Sequence, residues 1–274
     1  MDADIQSASM GLIDTHTHLE SFARNGTLDA ALARAREAEI EAMITIGTST
    51  DDWALYRDLS TKHGKFVRYS AGLHPCSVNE RWSEELAGLA DFWEDAESPV
   101  ALGEMGLDRF HLPKESAEAE KIFTWQRAAF AAQLVLGKKL GCPLVIHSRG
   151  AFRECIEMID ASGVDWARVV FHCFTEGPAE IAELNRRGGC GSFTGILTYK
   201  NADSVRAAAK AQGLKRFMIE TDAPYLTPMP HRGKPNEPAF VKHTAEFAAM
   251  EVFGISAEEL AAASTANALK FFGL

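Results

Sequence analysis

The chain has 274 residues, 46% of them hydrophobic and 24% charged, enough to bury a sizeable core in one large α/β domain or two small ones. Its formal net charge of −10 opposes non-specific adhesion to nucleic acid or anionic membrane, so a polyanionic substrate needs positive charge supplied locally. Five cysteines, Cys76, Cys142, Cys155, Cys173 and Cys190, contain no CxxC spacing; they point to neither a disulfide framework nor a four-cysteine zinc site, and fit a reducing cytoplasm.

In chain order, Met1 to Met10 carries two aspartates and no apolar h-region, and is expected to be a flexible extension preceding a single domain over 11–274. No run of 18 apolar residues follows, so neither export nor a membrane span is predicted. Gly11 to Thr15 reads as a first strand. Its continuation into Asp14-Thr15-His16-Thr17-His18 places Asp14, His16 and His18 on one face at the strand period of two. Thr27 to Glu39 reads as a helix, Ala42 to Ile46 as a strand, and a helix is capped near Ser49 to Asp51. Val67 to Leu73 is strand-like, Ser83 to Leu89 helical, Val100 to Gly103 strand, and Glu115 to Lys139 a long helix. Later strands are Leu144 to Ile146, Val169 to Phe171, Gly189 to Phe193 and Phe217 to Ile219. Eight strands alternating with helices, with no linker between them, predict an α/β (β/α)₈ TIM-type barrel; an open doubly wound sheet is the rival, weakened by the lack of GxGxxG after a strand.

Chemistry-bearing side chains recur where these strands end: His16 and His18, then His74, Glu104, His147, His172, Glu220 and Asp222. In a barrel, six strand ends meet at one mouth. Taken singly, a strand-end histidine satisfies a loop backbone, and a carboxylate caps a helix, about as often as either ligates metal. Taken together and buried without metal, they would leave costly desolvated polar groups. Imidazole and carboxylate donors suit Zn²⁺, Mn²⁺, Co²⁺ or Mg²⁺. Six ligands exceed the three of a simple catalytic zinc site, so two divalent ions sharing Glu104 are the natural partition, with Glu220 as a supporting partner.

The motifs Asp14-Thr15-His16-Thr17-His18, Gly103-Glu104-Met105-Gly106-Leu107-Asp108, Glu220-Thr221-Asp222-Ala223-Pro224-Tyr225-Leu226 and Arg232-Gly233-Lys234-Pro235-Asn236-Glu237-Pro238 span nearly the whole chain. In that order and spacing the sequence resembles the TatD family of metal-dependent deoxyribonucleases. The resemblance implies a TIM-type barrel, two metal ions and hydrolysis of DNA phosphodiesters, often as a 3′-to-5′ exonuclease on single strands or 3′ ends. It implies His16, His18, Glu104 and Asp222 as ligands of one ion and Glu104, His147 and His172 as ligands of the other, with His74 contacting the scissile phosphate or sitting just outside the metals. Two positions depart from the pattern: Cys76 stands where many relatives have histidine, and Arg109 where they have an aromatic residue.

The expected mechanism is attack on phosphorus by a hydroxide activated at the two metals, with Glu104 and Asp222 as the catalytic carboxylates and Asp222 orienting the nucleophile or taking its proton. Arg109, Arg149 and Arg232, with Arg24, Lys200 and Lys234, fall on loops leaving the strands and are candidate phosphate contacts; Phe110 and Tyr225 are candidate stacking surfaces. A monomer is expected. The alternatives are an amidohydrolase or phosphotriesterase-like hydrolase of a small substrate, disfavoured by Glu104 where such barrels carry a modified lysine; an aminoacyl-tRNA deacylase; and a non-catalytic binding module.

Overall fold

The computed structural model describes residues 11–274, so the expected N-terminal extension lies outside the described residues. Eight strands, β1 (Leu12–Thr17), β2 (Ile40–Ile46), β3 (Val67–Ala71), β4 (Ala101–Asp108), β5 (Leu144–Arg149), β6 (Val169–Phe171), β7 (Cys190–Phe193) and β8 (Met218–Ile219), pair in parallel in sequence order. Near its C-terminal end the sheet closes on itself. His18 N–H donates to Ala223 O and Asp222 N–H to His16 O, each at 2.8 Å, beside a parallel bridge from Thr17 to Ala223. The result is a nearly closed (β/α)₈ barrel, as the alternation predicts.

Two apolar layers follow from the strand alternation. Ile13, Ala42, Ile44, Ile46, Ala101, Val145, Val170, Cys190 and Met218 form one cluster, joined by Ala268 and Phe272 of the C-terminal helix Ala257–Phe272. This is the lower filling of the barrel, with the helix end packed against it. Leu12, Met43, Val67, Tyr69, Leu102, Met105, Leu107, Leu144, Ile146 and Phe171 belong to the larger cluster that also takes in the surrounding helices.

Perfect alternation would leave Glu104 on the wrong side, because Ala101 fills the barrel and Glu104 is three residues on. Strand β4 corrects this with an irregularity: between the Leu102–Leu144 and Met105–Ile146 pairs it advances three residues while β5 advances two. The extra residue flips the phase, as bulges do beside active sites. Strand β1 does the same between Asp14–Met43 and Thr17–Thr45, so Ile13 and His16 face the same interior.

Glycine allows these strands to run close. Gly106 has φ +147°, and a Cβ there would stand 2.0 Å from His147 O. The strand expected to stop at Gly103 therefore continues to Asp108. The helix Ser116–Leu140 turns Phe123, Gln126, Phe130, Gln133 and Leu134 inward. Its two glutamines hold strand ends: Gln126 Oε1 accepts Asp108 N–H at 3.0 Å, and Gln133 accepts Leu73 N–H at 2.8 Å and donates to Leu73 O at 3.1 Å. The short helix Leu19–Arg24, absent from the sequence expectation, directly follows His18.

Replacing Gly106 with alanine is expected to cost about 2–4 kcal/mol, from a strained φ together with overpacking. Gly141→Ala, also at positive φ but with nothing among the described residues within 4 Å, should cost about 1 kcal/mol. Denaturant midpoints of the two variants check the difference, and equal losses would contradict the close-approach argument.

Candidate metal centre at the barrel mouth

Glu104 is the hub of the site, 2% exposed in the centre of the barrel mouth. Its two oxygens face different groups. Oε2 lies 3.4 Å from His16 Nε2, while Oε1 lies 3.2 Å from His74 Nε2, 2.8 Å from His147 Nδ1 and 2.7 Å from His172 Nε2. Across from it, Asp222 Oδ1 stands 3.7 Å from His16 Nε2 and 3.3 Å from His18 Nε2. The nitrogens of His16 and His18 are 3.3 Å apart. Asp222 reaches this position with φ +55°, the left-handed region that aspartate tolerates better than most residues. All six residues expected as ligands are thus brought together, His74 beside them.

Such a cluster is costly unless positive charge balances it. For Glu104, burial alone would favour the neutral acid, yet His172, His74, His147 and His16 hold its carboxyl well below the usual range. Asp222 is depressed in the same way, its burial outweighed by His18, His16 and His172. Burial works against charge on His18 too, but Asp222 and Glu104 raise it to about 9. His172 and His147 are raised by their carboxylate partners against the same burial, whereas burial keeps His16 and His74 low. His16 Nδ1 is buried without a hydrogen-bond partner among the described residues. Ionised carboxylates facing this many imidazoles form a donor set that fits divalent cations, which would take the place of the protons the rings otherwise need.

Supporting contacts fix the donors. Glu220 is buried; its Oε1 accepts Cys173 N–H at 2.7 Å and lies 3.3 Å from His172 Nδ1, and its Oε2 accepts the Ser192 hydroxyl. Asp14 does not join the carboxylate cluster, although the strand period places it with His16 and His18. It accepts Thr221 N–H at 2.9 Å and pairs with Thr221 Oγ1 at 2.6 Å, pinning β1 to the end of β8. Asn236 in the late motif donates to Thr221 O at 2.9 Å and Tyr225 O at 2.6 Å, which stabilises the loop carrying Asp222.

Two participants were missed from sequence. Asp108 Oδ2 lies 3.0 Å from His147 Nε2 and 2.7 Å from His111 Nδ1. The only sequence signal is a histidine three residues after the last residue of the Gly103–Asp108 motif. The arginines divide: Arg149 lines the cavity of about 1020 Å³ above the cluster, with Phe110 4.0 Å beneath its guanidinium. Arg109 instead pairs with Glu154 and covers Phe123 at 3.8 Å, and Arg232 covers Tyr199 at 4.0 Å; neither lines that cavity.

The chain matches the family described as TatD related DNase over residues 13–273. It belongs to the TatD family. Among relatives, it is 34% identical over 267 residues, 96% of each chain, to the uncharacterized metal-dependent hydrolase YcfH of Escherichia coli K12. It is 33% identical to the uncharacterized metal-dependent hydrolase YabD of Bacillus subtilis, covering 95% of this chain and 98% of that one. The 3′-5′ ssDNA/RNA exonuclease TatD of Erwinia amylovora is 34% identical over 256 residues, covering 90% and 93%. The fold is similar to that of the TatD homologue YjjV of Escherichia coli, with a TM-score of 0.85 at 24% identity, covering 96% and 98%. Family membership places the chain among TatD-like metal-dependent hydrolases. Among the described residues no helix is long and apolar enough to cross a membrane.

Truncating Glu220 to alanine would strand two buried donors, Cys173 N–H and the Ser192 hydroxyl. A loss of about 2–4 kcal/mol is expected, against about 1 kcal/mol for Glu220→Gln, which keeps an acceptor oxygen. Thermal and denaturant melts of both variants check this; equal costs would show that Glu220 only fills space.

Proposed function

We propose that this TatD-family chain is a phosphodiesterase that trims single-stranded DNA from its 3′ end with the help of two divalent cations, both of which Glu104 would help to hold. The observation that carries the metal reading is the division of labour on that carboxylate, one oxygen toward His16 and the other toward His147 and His172. His16, His18, Glu104 and Asp222 would hold one ion, and Glu104, His147 and His172 the other. When bound, such ions supply Lewis-acid polarisation of a phosphoryl oxygen and a lowered pKa for water. The polarity and substrate rest on the name of the Erwinia relative, which shares 34% of aligned positions.

The chain's own residues supply the rest. Asp222, at the edge of the cluster and ionised, orients the attacking water and accepts its proton. His74 acts as a donor rather than a ligand. Its Nδ1 accepts Cys76 N–H at 3.0 Å, which leaves the ring proton on Nε2, directed into the site toward Glu104 and available to a phosphate oxygen. Arg149 at the cavity wall neutralises a neighbouring phosphate, an interaction the overall charge of −10 makes necessary.

Digestion of end-labelled single-stranded DNA with added Mg²⁺, Mn²⁺, Co²⁺ or Zn²⁺ tests the proposal. Glu104→Gln should lose activity by at least about 100-fold, together with bound metal. Full turnover by a variant that has lost its metal would overturn the reading, as would an enzyme that cleaves nitrophenyl esters or charged tRNA in preference to DNA. Arg149→Gln should weaken oligonucleotide binding regardless of sequence and lower the slope of log affinity against log salt by about 0.7. An unchanged slope would remove Arg149 from the phosphate path.

A further inference from the structure

A second convergence of donor atoms stands beside the Glu104 cluster, on the wall of the same cavity. Asp108 ends β4 with its side chain fully buried. Its Oδ2 lies 2.7 Å from His111 Nδ1 and 3.6 Å from Cys76 Sγ. Its Oδ1 accepts His111 N–H at 2.8 Å, which folds the 108–111 turn back so that the imidazole returns to its own strand end. Cys76 arrives from another segment, the short Pro75–Ser77 turn after β3, seated by its N–H bond to His74 Nδ1. One ligand atom each from Cys76, Asp108 and His111 lie mutually within 4.8 Å.

We propose that Cys76, Asp108 and His111 form a separate binding site for a zinc-like divalent cation. A sulfur, a nitrogen and an oxygen donor are the three types that zinc takes, at about 2.0–2.3 Å. Three protein ligands leave a fourth position, and all three residues line the cavity or adjoin it, Cys76 and His111 directly. The donor chemistry also separates this site from the one at Glu104: a thiolate selects Zn²⁺ or Co²⁺ over Mg²⁺ and Mn²⁺, whereas the histidine–carboxylate cluster suits all four. The bland competitor is a hydrogen-bond network in which the Cys76 thiol and the His111 ring simply donate to Asp108. The two differ in whether sulfur bonds to a cation.

The site is also wired to its neighbour. Asp108 Oδ2 faces His147 Nε2 at 3.0 Å, and His147 Nδ1 faces Glu104 at 2.8 Å. A cation that claims Asp108 weakens the hold of that carboxylate on His147, so filling one site changes the donor strength of a ring in the other.

The test is the electronic spectrum of the full-length protein saturated with Co²⁺, where a thiolate ligand produces a charge-transfer band in the near ultraviolet. The band should be present in the unaltered protein, lost in Cys76→Ser and in His111→Ala, and retained in Cys173→Ser. Mass-spectrometric zinc content after dialysis should fall by one ion per chain in Cys76→Ser, a change at an exposed position whose melting curve verifies folding. The band should also survive in Glu104→Gln, which separates this proposal from the two-ion reading: that variant tests Glu104, while the band reads only Cys76. A spectrum without the band at saturating Co²⁺, or a band that persists in Cys76→Ser, overturns the proposal.

Discussion

The constraint on which this molecule turns is a single ionised carboxylate, Glu104, buried at the centre of a barrel and surrounded by imidazoles. An ionised group removed from water costs several kcal/mol unless opposite charge meets it. Here His16, His74, His147 and His172 all lie within 3.4 Å of its oxygens. Carboxylate partners raise the pKa of two of those rings, His147 and His172, against their burial, and burial lowers that of the other two, His16 and His74. The cluster is thus satisfied by importing positive charge, and a divalent cation would place two such charges at one point shared by several donors.

Delivering the carboxylate to that point requires the barrel to break its own rule. A regular strand that fills the floor with Ala101 sends Glu104 outward into the helix layer, where no partner awaits it. The irregularities in β4 and β1 cost ladder regularity and gain the correct phase, which is why Ile13 and Ala101 belong to the floor while His16 and Glu104 reach the mouth. Gly106 lets the shifted strand run against β5, and Gln126 and Gln133 satisfy the backbone at two strand ends. The local rules are broken at the functional site, as is common where chemistry demands it.

This explains what could be read from residues alone. Strand–helix alternation and the recurrence of imidazole and carboxylate side chains at strand ends are properties of the one-dimensional pattern, so the barrel and the convergence of these six residues, with Glu220 beside His172, are legible in it. Phase was not. The period-two rule groups Asp14 with His16 and His18, but the irregularity after Asp14 hands that residue to Thr221 and the β8 seam. Strand β4 runs on past Gly103 to Asp108 through glycines, which are poor strand formers but here serve close approach. Asp108 closes a strand-end motif, but its pairing with His111 depends on a turn folding back upon its strand, which no spacing announces.

Arg109 and Arg232 show a different limit, and it bears on how substrate is gripped. Strand-end groups are placed by a hydrogen-bonded ladder and have little choice of position. Loop arginines choose among neighbours: Arg109 has Glu154 and the Phe123 ring, Arg232 the Tyr199 ring, and each interaction competes with any phosphate. An exposed ion pair contributes at most about 1 kcal/mol, less than a phosphate contact strengthened by counterion release supplies at low salt. The histidine–carboxylate cluster is therefore set by the fold itself, whereas positive charge around it is reassigned at small cost. In a chain carrying ten excess negative charges, the strand-end cluster, rather than the loop arginines, is the fixed position from which a bound cation would attract an anion.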